Sequence, residues 1–194
     1  MRLLLVAPPG AGKGTQAAKL AAYYKIAHLS SGDLLRAEVA AETRIGRTAA
    51  AYLRRGDLVP DELVIEMLTA PVLEAVANGG YVLDGFPRTL RQAEEAHRVA
   101  QQLEGIELQA VLHLMVSRQE LRRRLLARAQ REGRSDDTES VIAHRLAVFD
   151  TETQPLLAFY AERGLVADIN GEQRVDQVFA EIVTNVDRLL TGQR

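Results

Sequence analysis

A chain of 194 residues with 47% hydrophobic and 26% charged side chains suits one globular domain, and a net charge of −2 argues against bulk nucleic-acid binding. The lack of cysteine rules out disulfides and thiolate zinc sites, and no apolar run is long enough to span a bilayer. With no charged n-region or cleavage site at the start, the expectation is a cytoplasmic protein.

The chain opens on an apolar run, Leu3–Val6, which reads as a buried strand. It is followed by Ala7-Pro8-Pro9-Gly10-Ala11-Gly12-Lys13-Gly14-Thr15 and an Ala-rich helical stretch over 13–24. Strand, glycine-rich turn and helix opening on a lysine form a phosphate cradle: backbone N–H groups point into the turn and the helix N-terminus adds positive potential. Two positions depart from the general pattern, which has Gly where Ala7 stands and Ser or Thr where Gly14 stands; Thr15 is then the candidate hydroxyl. The bland alternative is an ordinary glycine-rich turn. Against it, Lys13 is one of only three lysines beside 21 arginines, so its place in the motif is unlike chance.

Further strands are expected at Ala27–Leu29, Tyr81–Leu83, Ala110–Met115 and Leu165–Ile169. Helical patterns fall at 32–42, 44–55, 61–77, 89–103, 117–131, 138–163 and 174–190. This alternation predicts an α/β fold, a parallel sheet with helices on both faces. Two helices in succession over 32–60 suggest a lobe that moves against the sheet. Thr89-x-x-Gln92 and Ser117-x-x-Glu120 read as capping boxes, and Pro155 should kink or break its helix.

Leu83-Asp84-Gly85-Phe86-Pro87-Arg88 is the second informative segment. A carboxylate ending a buried strand beside a phosphate turn is expensive unless it serves a cation, so Asp84 is a candidate for Mg²⁺, held directly or through water; a solvated turn aspartate is the alternative. Gly85 and Pro87 shape a turn that presents Arg88, whose planar fork suits a phosphate.

Taken with Ser31-Gly32-Asp33-Leu34-Leu35-Arg36 and Asp61-Glu62-Leu63-Val64, these motifs resemble the adenylate kinase family almost end to end. The resemblance implies a P-loop NTPase three-layer α/β/α fold with a five-stranded parallel sheet, an AMP-binding lobe over about 31–60 and a lid over ATP. It implies reversible Mg²⁺-dependent phosphoryl transfer from ATP to AMP, giving two ADP. By the same resemblance Gly10, Ala11, Gly12, Lys13, Gly14, Thr15, Arg124, Arg128 and Gln173 serve ATP. Ser31, Arg36, Leu58, Val59, Gly85, Arg88, Gln92, Arg134 and Arg145 serve AMP. Lys13, Arg88, Arg124, Arg134 and Arg145 face the transferring group, and Asp33 and Asp84 hold the Mg²⁺ waters.

Competing local roles stay open. Gln92 is wanted both by the adenine edge and by the Thr89 capping box, Asp33 could cap its helix, and apolar packing explains Leu58 and Val59 equally well. Arg36 could be a surface helix residue. Arg124 and Arg128 lie four apart on one helix face, whereas a solvated face explains Arg122 and Arg123. Asp136 and Asp137 either orient the arginines or cap the next helix. Only Ala129-Gln130-Arg131-Glu132-Gly133 separates Arg128 from Arg134, too little for a hairpin-rich lid. A short lid over 128–137 without zinc follows, in which Arg131 could trade places with Arg128. The expected enzyme is a monomer using ATP, AMP and ADP, with no nucleic-acid or membrane partner. The rivals are a UMP/CMP kinase, disfavoured by Ser31 and Gln92, and a nucleotide-binding switch, disfavoured by the second phosphate site.

Overall fold

The computed structural model describes residues 1–102, 105–132 and 138–192, leaving aside the side chains of residues 131 and 132. Its strands are β1 (Arg2–Val6), β2 (Ala27–Ser30), β3 (Tyr81–Asp84), β4 (Ala110–Met115) and β5 (Val166–Asn170). The helices are α1 (Lys13–Tyr24), α2 (Ser31–Ala40), α3 (Arg44–Arg55), α4 (Asp61–Ala77), α5 (Leu90–Ala100), α6 (Arg118–Glu132), α7 (Glu139–Val148), α8 (Pro155–Ala161) and α9 (Val175–Thr191).

All five strands are parallel, in the order β2-β3-β1-β4-β5. β1 is therefore central, flanked by β3 and β4, and the turn that leaves its carboxyl end sits where open α/β sheets bind ligands. The period-2 alternation of a strand sends its side chains to opposite faces. Leu3 and Leu5 join Val82, Leu112, Leu114 and Ile169 on one face, covered by α1, α6 and α9 through Leu20, Leu125 and Ile182. Leu4 and Val6 join Leu83 and Val111 on the other, covered by α4, α5 and α8 through Ala75, Ala93, Leu156 and Tyr160. Burial on both faces explains why β1, β3 and most of β4 read as continuous apolar runs, while the edge strands β2 and β5 stay partly exposed and carry polar residues.

A third core stands apart from the sheet. Leu35 of α2, Ala49 of α3, Val59, the α4 residues Val64, Met67 and Leu68, and Phe86 pack together as the centre of an α2–α3 lobe. Val59 is thus committed to packing, at 5% exposure.

Four local expectations need correction. Thr89 does cap α5, accepting the Gln92 backbone N–H at 3.1 Å, but the Gln92 side chain goes elsewhere, so the capping box is half made. Ser117 likewise accepts from Glu120 N at 3.4 Å while the Glu120 carboxylate turns to arginines. Ser30, not Asp33, caps α2. The long pattern over 138–163 is α7, a π-helical turn over Phe149–Thr153, and α8 with Pro155 in its first turn, where a missing N–H costs nothing.

Candidate active site

The phosphate turn is shaped by glycines at positions no other residue fits well. Gly10 and Gly12 have φ of 86° and 95°, in the left-handed region. A Cβ on Gly10 would stand 2.8 Å from Leu125 Cγ and 3.1 Å from the Leu121 carbonyl oxygen, so α6 can press against the turn only because the side chain is absent. Gly12 is the N-cap of α1 and has no side-chain partner for the first helical N–H groups, leaving them open to an anion. Gly14 and Thr15 are exposed beside it.

This turn forms one wall of a cleft of about 570 Å³. Lys13, Arg36, Arg88, Arg123, Arg124, Arg128 and Arg145 line it, against two carboxylates, Asp33 and Asp84. A chain with net charge −2 has thus gathered seven cations around one cavity, an arrangement that suits polyphosphate.

Lys13 folds back on the turn, its Nζ donating to the carbonyls of Ala7 at 2.7 Å and Pro8 at 3.2 Å. Burial pushes its ammonium down to about 8; Asp84 opposes the shift and Arg88, Arg145 and Arg128 add to it. Burial lowers the Arg88 guanidinium too, with Arg145 pushing the same way.

Arg88 is tightly placed. Its Nε donates to the Gly85 carbonyl at 2.7 Å, and the Ser31 hydroxyl donates to that same carbonyl at 2.6 Å. Ser31, at 1% exposure, lies behind the wall and not on it. The Arg88 backbone N–H donates to Gln92 Oε1 at 2.6 Å, and Gln92 Nε2 donates to Asp61 Oδ1. The peptide between Phe86 and Pro87 is cis.

Arg36 pairs with Asp33 on α2. Burial raises the Asp33 carboxyl, but Arg36 and the Ser30 hydroxyl hold it below its ordinary range, so it is ionised at neutral pH. Asp33 and Asp84 line the same cleft, and no group of three or more His, Cys, Asp or Glu able to hold a metal occurs among the described residues.

Arg124 reaches back to the turn, its Nη1 lying 3.5 Å from the Ala11 carbonyl, and its Nε donates to Glu120 at 2.7 Å. Hydrogen bonds from Arg123 and Arg124 hold the Glu120 carboxyl down at about 2. Arg123 is exposed at the rim of the cleft, and Arg122 pairs with Glu139 on the solvent side. Arg145 reaches the cleft from α7, its Cγ 2.7 Å from where a Cβ on Gly56 would stand. Leu58 also lines the cleft. Gln173 lies in the turn before α9, bonded to the Asn170 carbonyl and to Glu181. Arg134, Asp136, Asp137 and the side chain of Arg131 lie outside the described residues.

Residues outside the motifs also matter. Glu120 holds Arg124, a link legible in the i, i+4 spacing. Asp61, which opens the Asp61-Glu62-Leu63-Val64 motif, holds Gln92 from 31 positions away, a partner that the motif does not reveal; Val148, Phe149 and Thr153 around the π-helical turn line the cleft, and no sequence pattern announces them.

The family model for adenylate kinase matches residues 5–165. The chain is 42% identical over 187 residues to an adenylate kinase of Kocuria rhizophila, covering 96% of this chain and 99% of that one. It is 46% identical to an adenylate kinase of Thermobifida fusca, covering 95% and 97%, and 39% identical to one of Phocaeicola vulgatus, covering 97% and 100%. A phosphate turn at the centre of a five-stranded parallel sheet, facing a ring of arginines, thus comes with end-to-end similarity, and the chain belongs to the adenylate kinase family.

Proposed function

We propose that the arginine-lined cleft binds both nucleotides end to end, ATP with its phosphates on the turn at Gly10–Thr15 and AMP with its phosphate on Arg36, Arg88 and Arg145. The enzyme is an adenylate kinase: it transfers a phosphoryl group reversibly between ATP and AMP, giving two ADP. The observation that carries the assignment of roles is the convergence of seven cations on one cavity whose turn carries helix N–H groups.

An oxygen of the AMP phosphate attacks the γ-phosphorus of ATP as the bond to the β,γ-bridging oxygen breaks. The acceptor is already anionic, so no general base is needed. The work left to the protein is alignment and neutralisation of the equatorial oxygens. Lys13 exchanges the Ala7 and Pro8 carbonyls for phosphate oxygens, and an anion restores the charge that burial discourages. Arg124, Arg128 and Arg145 approach the same space from α6 and α7, and Arg134 belongs with them by the family motif. Two carboxylates facing phosphate space suit a hard cation held through water and phosphate oxygens, so Asp33, Asp84 and the Thr15 hydroxyl are the residues proposed to hold Mg²⁺. When bound there, Mg²⁺ would offset negative charge on the phosphates.

Leu58 contacts the AMP base, with Val59 packed behind it and Gln92 on its edge. Gln173 borders the ATP base. The 31–60 lobe and the short 128–137 lid close on the nucleotides and exclude water, which would otherwise hydrolyse ATP. A cytoplasmic monomer completes the reading.

ADP formation from MgATP, measured with AMP, UMP, CMP or no acceptor, tests it. Turnover should be confined to AMP. Lys13→Ala and Arg88→Ala should each lower kcat/KM by about 10²-fold or more while leaving the fold intact. A folded Lys13→Ala variant with near-normal rates would overturn the assignment.

A further inference from the structure

The Gln92 side chain is 2% exposed, and each end of its amide meets a group that accepts only one orientation. Oε1 faces the Arg88 backbone N–H, which can only donate. Nε2 faces Asp61 Oδ1, which as a carboxylate can only accept. Asp61 is itself 16% exposed at its side chain, and its other oxygen takes the Arg91 Nε at 2.8 Å, which holds the carboxylate turned toward Gln92. If the amide were turned over, two donors would meet at Arg88 and two acceptors at Asp61.

With these partners satisfied, the amide keeps one N–H and one oxygen lone pair. A 6-aminopurine offers a ring acceptor at N1 beside an amino donor at N6, and one amide orientation matches that pair. A 6-oxopurine offers the reverse, an N1–H donor beside an O6 acceptor, and matches the amide equally well once it is turned over. A free glutamine would therefore serve both bases. A locked one discriminates, because the wrong base leaves buried polar groups opposed.

We propose that Asp61 is a positioning residue for base selection: by locking the Gln92 amide it makes the acceptor site select a 6-aminopurine over a 6-oxopurine monophosphate. This rests on the reading above that Gln92 touches the acceptor base. An asparagine at 61 has one oxygen for two donors, Arg91 and Gln92, so it must turn its NH₂ toward one of them and the lock loosens.

The test compares kcat and KM for AMP and for inosine 5′-monophosphate, with MgATP as donor, in the unmodified enzyme and in Asp61→Asn, Gln92→Ala, the double variant and Arg91→Ala. Asp61→Asn should lower the AMP-over-IMP ratio of kcat/KM by about threefold to tenfold, the scale of one ordinary hydrogen bond. The change should fall on KM, with kcat for AMP nearly unchanged. In the Gln92→Ala background Asp61→Asn should no longer move the ratio, and Arg91→Ala should move it less than Asp61→Asn does. The proposal is overturned if Asp61→Asn leaves the ratio unchanged, or moves it equally without Gln92. It is also overturned if Arg91→Ala has the same effect, which would make the ion pair and not the amide the cause. If Gln92→Ala itself leaves the ratio unchanged, Gln92 does not read the base, and the failure lies in the site assignment beneath the proposal.

Discussion

The phosphate turn and the α2–α3 lobe face each other across one cleft but are held by different means. The turn grows from β1, the central strand, and is pressed between α1 and α6, so it shares the main core: Leu3 and Leu5 are 0% and 2% exposed, and Leu121 and Leu125 beneath the turn 2% and 1%. The lobe has its own small core around Leu35, Ala49 and Val59. That core is shared with Val64, Met67 and Leu68 of α4 and with Phe86, the Ser31 hydroxyl ties α2 to the Gly85 carbonyl, and at the surface Arg44–Glu66 and His144–Asp57 add pairs of the kind that contribute little. The donor side shares the sheet's main core, whereas the acceptor side rests on a smaller one, and we propose that the lobe therefore moves more readily than the turn. A kinase that must close on two nucleotides and release them is served by that division.

The sharpest way to break the comparison is at the crossing of α2 and α3. A Cβ on Gly46 would lie 1.9 Å from the Glu38 carbonyl oxygen and 2.6 Å from the Val39 nitrogen, so the two helices meet backbone to backbone. Gly46→Ala must push them apart, at about 1–3 kcal/mol, the scale of an overpacked core. AMP affinity should then fall about tenfold or more while MgATP affinity changes by less than about twofold, measured by titration calorimetry. Equal losses for both nucleotides would mean that the lobe and the sheet are one cooperative unit.

A smaller effect sharpens the donor side. Burial pushes the Lys13 ammonium down to about 8, against 10.5 for an ordinary lysine. Between those values the unfolded chain holds a proton that the folded one does not, so stability rises with pH. Below about 8 the cost of burying the ammonium is fully felt; above 10.5 it is gone. Denaturant titrations of the nucleotide-free enzyme across this window should show the rise in the unmodified protein, and Lys13→Met should flatten it. An unchanged slope in Lys13→Met would place the titrating group elsewhere.

Much of this architecture was legible in the residues. The five strands fall within about a residue of their expected bounds, and the central ones are plainest because burial on both faces writes itself as continuous hydrophobicity. The phosphate turn was legible because its glycines and lysine are forced by close approach to an anion. Long-range partnerships were not. Nothing local says that the Gln92 amide serves Arg88 and Asp61 rather than Thr89, since the competing hydrogen bonds are of similar strength and tertiary packing chooses among them. The π-helical turn before Pro155 was hidden for another reason: periodicity over 138–163 reads the same with or without one extra residue in a turn.

Native-state hydrogen exchange on the unmodified, nucleotide-free enzyme tests the division most directly. Amides of α2 and α3 should exchange through openings of lower free energy than those of β1, β3 and β4, and AMP should slow the lobe while leaving the strands unchanged. Exchange at one common free energy across lobe and sheet, or protection by AMP spread equally over both, would contradict it.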